Sequence, residues 1–443
     1  MANGFTTGSV GKGILTYSLP LLGAYLLQIM YSSADTFFAG NFLGSQGIAA
    51  IGSISLVAIC LVNLFAGLSL GANVMAAHSI GAKDYASIGI ITSTSIRVSL
   101  VTGVVICVLG IACSPLFAVV MQVPANISQD AILYLRLYFI GLPAMLAYNM
   151  ASGVLRGIGD STTPLKAQII GGLYNIALDA LALVVFNLGV AGIALATVGC
   201  QSLACAYSIW KLCEWMRNNG ITARARANAA TLKEMLAIGI PAAIQGFALT
   251  LSNVFIQYVI NGLGQDSIAA FVIYFQIEML VYEPLVALGQ TSTVFVAQNI
   301  GANQPARAKK GVRSCLGMGL ISAVATTALI MTFCSFAFSL FTDELDVIEL
   351  GTTAVFTTYP FYWLYAISEV CGGACRGMKH VKGPMATVLI CYAAMRLVLL
   401  LGSPLPASGI TGVALVYPIT WCMAAVTLSV YYVYLAKKEL ANV

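Results

Sequence analysis

About twelve apolar stretches of roughly 20 or more residues divide this chain, and that pattern leaves one class of fold open. They lie near 14–39, 48–76, 90–113, 131–152, 165–186 and 190–212, then 235–260, 268–297, 314–338, 351–373, 384–402 and 409–435. In hydrocarbon every backbone amide must find its partner inside the segment, so spans of this length are helices. Only 8% of the residues are charged and 59% are apolar, where a soluble domain carries roughly 25% charge. The expectation is an all-α polytopic membrane protein. The polar start, "MANGFTTGSVGKG", leads straight into a full-length span and does not read as a cleaved signal.

Basic residues orient the spans. Lys83, Arg156, Lys166, Arg307, Lys309, Lys310, Arg313, Arg376, Lys379 and Lys382 fall in alternate loops, with Lys12, Lys437 and Lys438 at the ends. The other loops carry none, and "TDELDVIEL" at 342–350 is acidic. Arg97, Arg136 and Arg396 lie within spans or at their ends. Both termini and the polar stretch near 211–234 are therefore expected on the cytoplasmic side of a plasma membrane. The organisation is a six-helix bundle over 1–212, a linker over 213–234 and a second six-helix bundle over 235–443.

The second half repeats the first at an offset of 220 residues. "NFLGSQGIAA" at 41–50 matches "NGLGQDSIAA" at 261–270, and "AHSIGAKDYA" at 77–86 matches "AQNIGANQPA" at 297–306. "LRGIGDSTTPL" at 155–165 matches "CRGMKHVKGPM" at 375–385, and "VAGIAL" at 190–195 matches "ITGVAL" at 410–415. Pro20 matches Pro241 one residue out of register. An even number of spans per half makes this a parallel repeat, an architecture of transporters.

The 12 cysteines are scattered through apolar runs, and the only histidines are His78 and His380. Neither pattern supplies a metal site, and no cofactor is expected. "GIGD" at 157–160 matches an intramembrane protease motif, but Asp160 lies in a basic loop beside Arg156 and Lys166. Phosphate-binding loops and nucleophile elbows with the right flanks are absent, so the chain does not read as an enzyme. An intramembrane enzyme working through Asp160 stays as a rival reading, and nucleic acid is not an expected partner.

Five acids fall inside spans: Asp35, Asp179, Glu278, Glu283 and Glu369. A carboxylate there is costly and is read as functional unless a partner explains it. The repeat sets two of them apart, because Asp35 maps to Phe255 or Ile256 and Asp179 to Leu399. Both lie in the outer part of the first bundle, ~7 Å and ~12 Å before their spans end at 1.5 Å per residue. Tyr31 and Asn175 lie four residues before them on the same helix faces, and Thr197 is a further candidate on the sixth span. Such a cluster can hold a proton exchangeably, since closely placed, desolvated carboxyls resist ionising together. It can also coordinate Na⁺ with amide and hydroxyl oxygens. Glu278 and Glu369 are candidates for a cavity in the second bundle, with Tyr31, Phe37 and Tyr274 as aromatic faces for a cationic substrate. Glu283 precedes Pro284, which frees a backbone group in its helix. Pro20 permits a bend in the first helix that protonation at Asp35 would bias, although Pro241 argues for a static kink.

Together these residues resemble the MATE multidrug exporters. The resemblance rests on "SLP" with "ADTFFAGNFLG" in the first span, "LRGIGDSTTPL" before the fifth, "NIALDALALVVFNLGVAGIALATV" and "FVAQNIGANQPARAKKG". It covers essentially the whole chain. It implies export of small cationic or amphipathic organic compounds, driven by inward H⁺ or Na⁺ flow. The resemblance favours the DinF-like branch, whose coupling site is an acid in the first span and an Asn–Asp pair in the fifth, at positions matching Asp35, Asn175 and Asp179. The NorM-like branch has an acid on the seventh span, where "PAAIQGFALTLSN" has none, and Glu369 is about a turn out of register with that branch's acid on the tenth. A flippase for lipid-linked sugars is the alternative in the same superfamily, but three arginines near span ends are few for a pyrophosphate cargo. Membrane lipids and organic substrates are the expected partners, and a monomer the expected state.

Overall fold

The computed structural model describes residues 5–221 and 227–440. Its described residues form helices joined by short turns, with no strand among them. The helices are α1 (Val10–Phe38), α2 (Gly44–Gly81), α3 (Tyr85–Val120), α4 (Ser128–Gly157), α5 (Thr162–Ala180), α6 (Gly189–Asn218), α7 (Ala229–Asn261) and α8 (Gln265–Gly301). They continue as α9 (Pro305–Thr332), α10 (Cys334–Ser339), α11 (Leu345–Thr358), α12 (Tyr362–Gly377), α13 (Lys382–Thr387), α14 (Met395–Gly402) and α15 (Gly409–Glu439). Among the described residues 11 helical segments are long and apolar enough to cross a membrane. The span expected at 351–373 is instead α11 and α12 joined by a 3₁₀ turn at Tyr359–Phe361. Pro360 explains the break: it has no N–H to give the preceding turn. The ninth span likewise stops at Thr332 and restarts as the short α10. Much of the linker expected over 213–234 is helical, because α6 runs to Asn218 and α7 starts at Ala229; residues 222–226 of it lie outside the described residues.

The chain divides into two compact units. The first is formed by Leu19–Gly239; the second by Ile240–Val443 with Asn3–Ser18. Helix α1 thus changes unit one residue before Pro20, and α7 does so between Gly239 and Ile240, directly before Pro241. Both prolines weaken a helical hydrogen bond at the changeover. The start of the chain is tied into the second unit. Phe5 packs between Tyr17 and Phe295 at ring separations of 5.1 and 4.9 Å, and its N–H donates to Gln298 Oε1 at 2.9 Å. Arg307 donates to the carbonyls of Phe5, Thr7 and Gly8 at 2.8–2.9 Å.

Within each unit the sequence repeat returns as geometry. Left-handed backbone recurs at equivalent turns: Gly44 and Gly264, Lys83 and Asn303, Gly159 and Lys379, Gly189 and Gly409. Close helix contacts recur as well. A Cβ on Gly153 or Gly157 of α4 would meet the carbonyls of Ser69 and Asn73 on α2 at 2.7 and 2.4 Å. On α12, Gly373 and Gly377 meet the carbonyls of Gly289 and Thr293 on α8 at 2.2 and 2.5 Å. Each pair is 220 residues from its counterpart on both helices. Small residues four apart let backbones approach where lipid supplies no hydrophobic drive between helices.

Two helix starts are held by aspartate side chains. Asp84 accepts the Ser87 N–H at 3.0 Å and hydroxyl at 2.5 Å to begin α3. Asp160 accepts the N–H groups of Thr162 and Thr163 at 3.0 and 2.9 Å to begin α5, which gives the acid of the "GIGD" motif a capping role. The Ser87 bonds hold the Asp84 carboxyl below its ordinary pKa. Its stabilisation is therefore present above the unfolded-state value of about 3.9 and is lost as pH falls through the lower folded value. Asp84→Ala should weaken the start of α3 by about 1 kcal/mol, read as faster amide exchange at Ser87. That difference should shrink in acid below the folded pKa of Asp84.

Candidate functional site

The first unit brings Asp35 of α1 together with Asn175 and Asp179 of α5 and Thr197 of α6. Helical spacing does this: Asn175 and Asp179 are one turn apart on the buried face of α5, at 1% and 0% exposure. Asp35 is half-buried. The helices are irregular beside both acids. A π-helical turn, Ala39–Leu43, follows α1, and another, Leu181–Val185, follows Asp179 by two residues. Such turns free backbone groups and often mark functional positions.

The cluster holds more acceptors than donors, the Asn175 amide and the Thr197 hydroxyl being its donors toward Asp35. One Asp35 oxygen, both Asp179 oxygens and the Asn175 amide oxygen are buried with no hydrogen-bond partner. The Thr197 hydroxyl lies beside Asp35 and within 3.0 Å of the Ile193 carbonyl, so its one proton serves either acceptor. Buried acceptors without donors are costly, and two adjoining carboxylates repel. A small cation among the oxygens, whether a proton shared by the carboxyls or a hard ion such as Na⁺, would offset both costs.

Tyr31 packs against α5, where a Cβ on Gly172 would lie 3.5 Å from its ring. Sequence reasoning missed Tyr134 and Tyr138 of α4, stacked at 6.3 Å, with Tyr134 beside both acids. It also missed Cys200 of α6, which neighbours both carboxyls. The two tyrosines share a helix face at a spacing of four, a signal common to any packed pair. Phe37 is exposed on the outside of α1.

The remaining candidates fall in the second unit and do not join this cluster. Glu278 of α8 is buried and accepts the Tyr362 hydroxyl. Tyr274 is fully buried in the apolar core, with its hydroxyl against Thr358 Oγ1 at 2.9 Å. Glu369 forms an ion pair with Arg376 at 2.6 Å along α12 and packs over Gly289. Glu283 is half-buried beside Pro284. Arg396, expected near a span end, is 4% exposed inside the helical segment Lys382–Gly402.

A family model described as MatE matches residues 20–181 and 241–401, one stretch in each half. Among curated relatives, the probable multidrug resistance protein YoeA of Bacillus subtilis is 26% identical, over 97% of this chain and 95% of its own. The multidrug export protein MepA of Staphylococcus aureus is 24% identical, over 96% and 95%. A solved structure described as the outward-facing conformation of a multidrug resistance MATE family transporter superposes with a TM-score of 0.90 at 21% identity. It covers 99% of this chain and 98% of the other.

Proposed function

Because this chain belongs to the MatE family, whose members are transporters and not enzymes, we propose that it exports organic cations and amphipathic drugs in exchange for H⁺ or Na⁺. Both full-length relatives named above carry multidrug resistance or export in their names, which supports this substrate class. The observation that carries the coupling is the group of buried, donorless oxygens on Asp35, Asn175 and Asp179 beside Thr197. An ion entering from outside neutralises the repulsion between the two acids and favours one packing of α1 on α5. Its release restores the repulsion and favours the other. Exchange requires only that substrate prefer the ion-free packing. The acids match the DinF-like arrangement. The changeover of α1 between units at Pro20 places its weakest backbone turn on the same helix as Asp35. In this reading the two units alternate access for a monomer in the plasma membrane, both termini are cytoplasmic and no cofactor takes part. The flippase alternative gains nothing from Arg396, whose guanidinium is engaged by protein oxygens.

Everted vesicles energised to be acidic inside, with a pH-sensitive dye, test the reading. Ethidium should dissipate the gradient through the wild type without Na⁺ if the ion is H⁺. A Na⁺-dependent ethidium uptake assigns the coupling to Na⁺. No substrate-dependent response to either ion across a panel of cations overturns drug antiport.

A further inference from the structure

At the positions equivalent to the Asp35–Asp179 cluster the second unit carries no charge, and an arginine stands beside one of them. At an offset of 220, Asp35 corresponds to Phe255, Asn175 to Met395, Asp179 to Leu399 and Thr197 to Tyr417. No acid occupies these positions. Next to one of them stands Arg396, at the start of α14. The same three helices surround it: α7, the counterpart of α1; α14, the counterpart of the end of α5; and α15, the counterpart of α6.

The Arg396 guanidinium sits where those helices meet. Nη1 donates to Ser252 Oγ at 3.2 Å and Asn253 Oδ1 at 3.3 Å on α7, and Nε to Thr420 Oγ1 at 3.4 Å on α15. Its carbon lies 4.7 Å from the Tyr417 ring centroid and 5.1 Å from that of Tyr392. Arg396 itself maps to Ile176, outside the cluster, but two of its neighbours map close to it: Tyr417 is the counterpart of Thr197, and Thr420 is the counterpart of Cys200, which neighbours both carboxyls in the first unit. A π-helical stretch, Val388–Ala394, ends two residues before Arg396; it maps to 168–174 within α5 and is not the counterpart of the π turn at Leu181–Val185. Among the described residues no carboxylate forms an ion pair with Arg396. Glu278, the acid within reach of its charge, is held by Tyr362.

We propose that the second unit contains a self-occupied cation site, in which Arg396 is the resident cation. The first unit gathers oxygens and leaves the cation to be exchanged. The second gathers oxygens and two aromatic faces around a cation that the chain itself supplies. The guanidinium is covalently held, so this junction does not release its cation. Oxygen acceptors and aromatic faces offset the cost of burying it. One of two duplicated junctions is then locked in its cation-filled packing, and the response to ions is confined to α1, α5 and α6. The comparison with an exchangeable ion rests on the coupling role given to Asp35 and Asp179; the cation site itself does not.

The test removes the side chain and offers the cation back. Purified full-length Arg396→Ala, Arg396→Gln and Arg396→Lys are unfolded thermally in detergent, with tryptophan fluorescence as the readout; Trp421 lies 5.6 Å from the Tyr417 ring. Arg396→Ala should lose roughly 5–15 °C in Tm, the scale for opening a buried charged contact in a domain of about 200 residues. Millimolar methylguanidinium chloride should restore part of that loss saturably, beyond equal NaCl, and should leave the wild type unchanged. Arg396→Lys should keep more stability than Arg396→Gln. The proposal is overturned if methylguanidinium acts no better than NaCl on the Ala and Gln variants, or if Gln matches the wild type. None of these readouts depends on transport, so a failure of Asp35 coupling in vesicles would be seen separately.

Discussion

Asp179→Asn should sharply reduce ion-driven efflux while leaving a folded protein. The side chain is fully buried, and neither carboxylate oxygen has a hydrogen-bond donor. The amide keeps the shape and removes the charge, so the repulsion with Asp35 disappears whether or not an ion is bound. With no difference left between ion-bound and ion-free packing, nothing ties substrate release to ion entry. Coupling free energies of this kind correspond to roughly 5–150-fold in affinity, and dissipation of the gradient by ethidium should fall by a comparable factor. Asp35→Asn should behave alike, and the double variant should be no worse than either, because both remove one shared interaction. Thermal unfolding of Asp179→Asn should be unchanged or slightly later than that of the wild type. Wild-type exchange in this variant would leave Asp179 as a structural carboxyl.

Gly373→Val should prevent accumulation of folded protein. The new Cβ alone would stand 2.2 Å from the Gly289 carbonyl oxygen, a backbone atom within α8. It cannot swing aside as a side-chain tip can, so α8 and α12 must separate along a contact that also includes Gly377 and Thr293. Overpacking costs typically 1–3 kcal/mol where side chains can adjust, and the cost here should exceed that range. Gly153→Val at the equivalent contact of the first unit, 2.7 Å from the Ser69 carbonyl, should be damaging but less so. Gly317 of α9 is the control: no atom lies within 4 Å of its Cβ position, and Gly317→Ala should gain up to about 1 kcal/mol of helix propensity. Yield in membranes and Tm in detergent read all three. Normal yield of Gly373→Val would mean that the α8–α12 contact is not as close as described.

The grouping of Asp35, Asn175 and Asp179 was legible because its signals are local. Asn175 and Asp179 lie one helical turn apart, and a carboxylate in an apolar run stands out against its neighbours. The repeat was legible because turn residues such as Gly44 and Gly264 recur where backbone geometry requires them. Glu369 and Arg376 lie seven residues apart, two turns along one helix face, so their pairing could have been read. Tyr134 beside the acids could not, since nothing in its own helix distinguishes it from a packing tyrosine.

The sequence by itself determined that the chain is a membrane-spanning helical protein with two related halves, and that its acids are unevenly shared between them. Hydrophobic length and the 220-residue offset are properties of the chain and need no contact to be read. Tertiary structure decided which oxygens meet. Only the packing of α1, α5 and α6 leaves Asp35, Asp179 and Asn175 with donorless oxygens. Only the packing of α7, α14 and α15 turns Arg396 from an apparent span-end charge into a buried one held by Ser252, Asn253 and Thr420. The physical reason is common to both. The cost of a charge in a membrane depends on the groups around it, and those groups come from helices far apart in sequence.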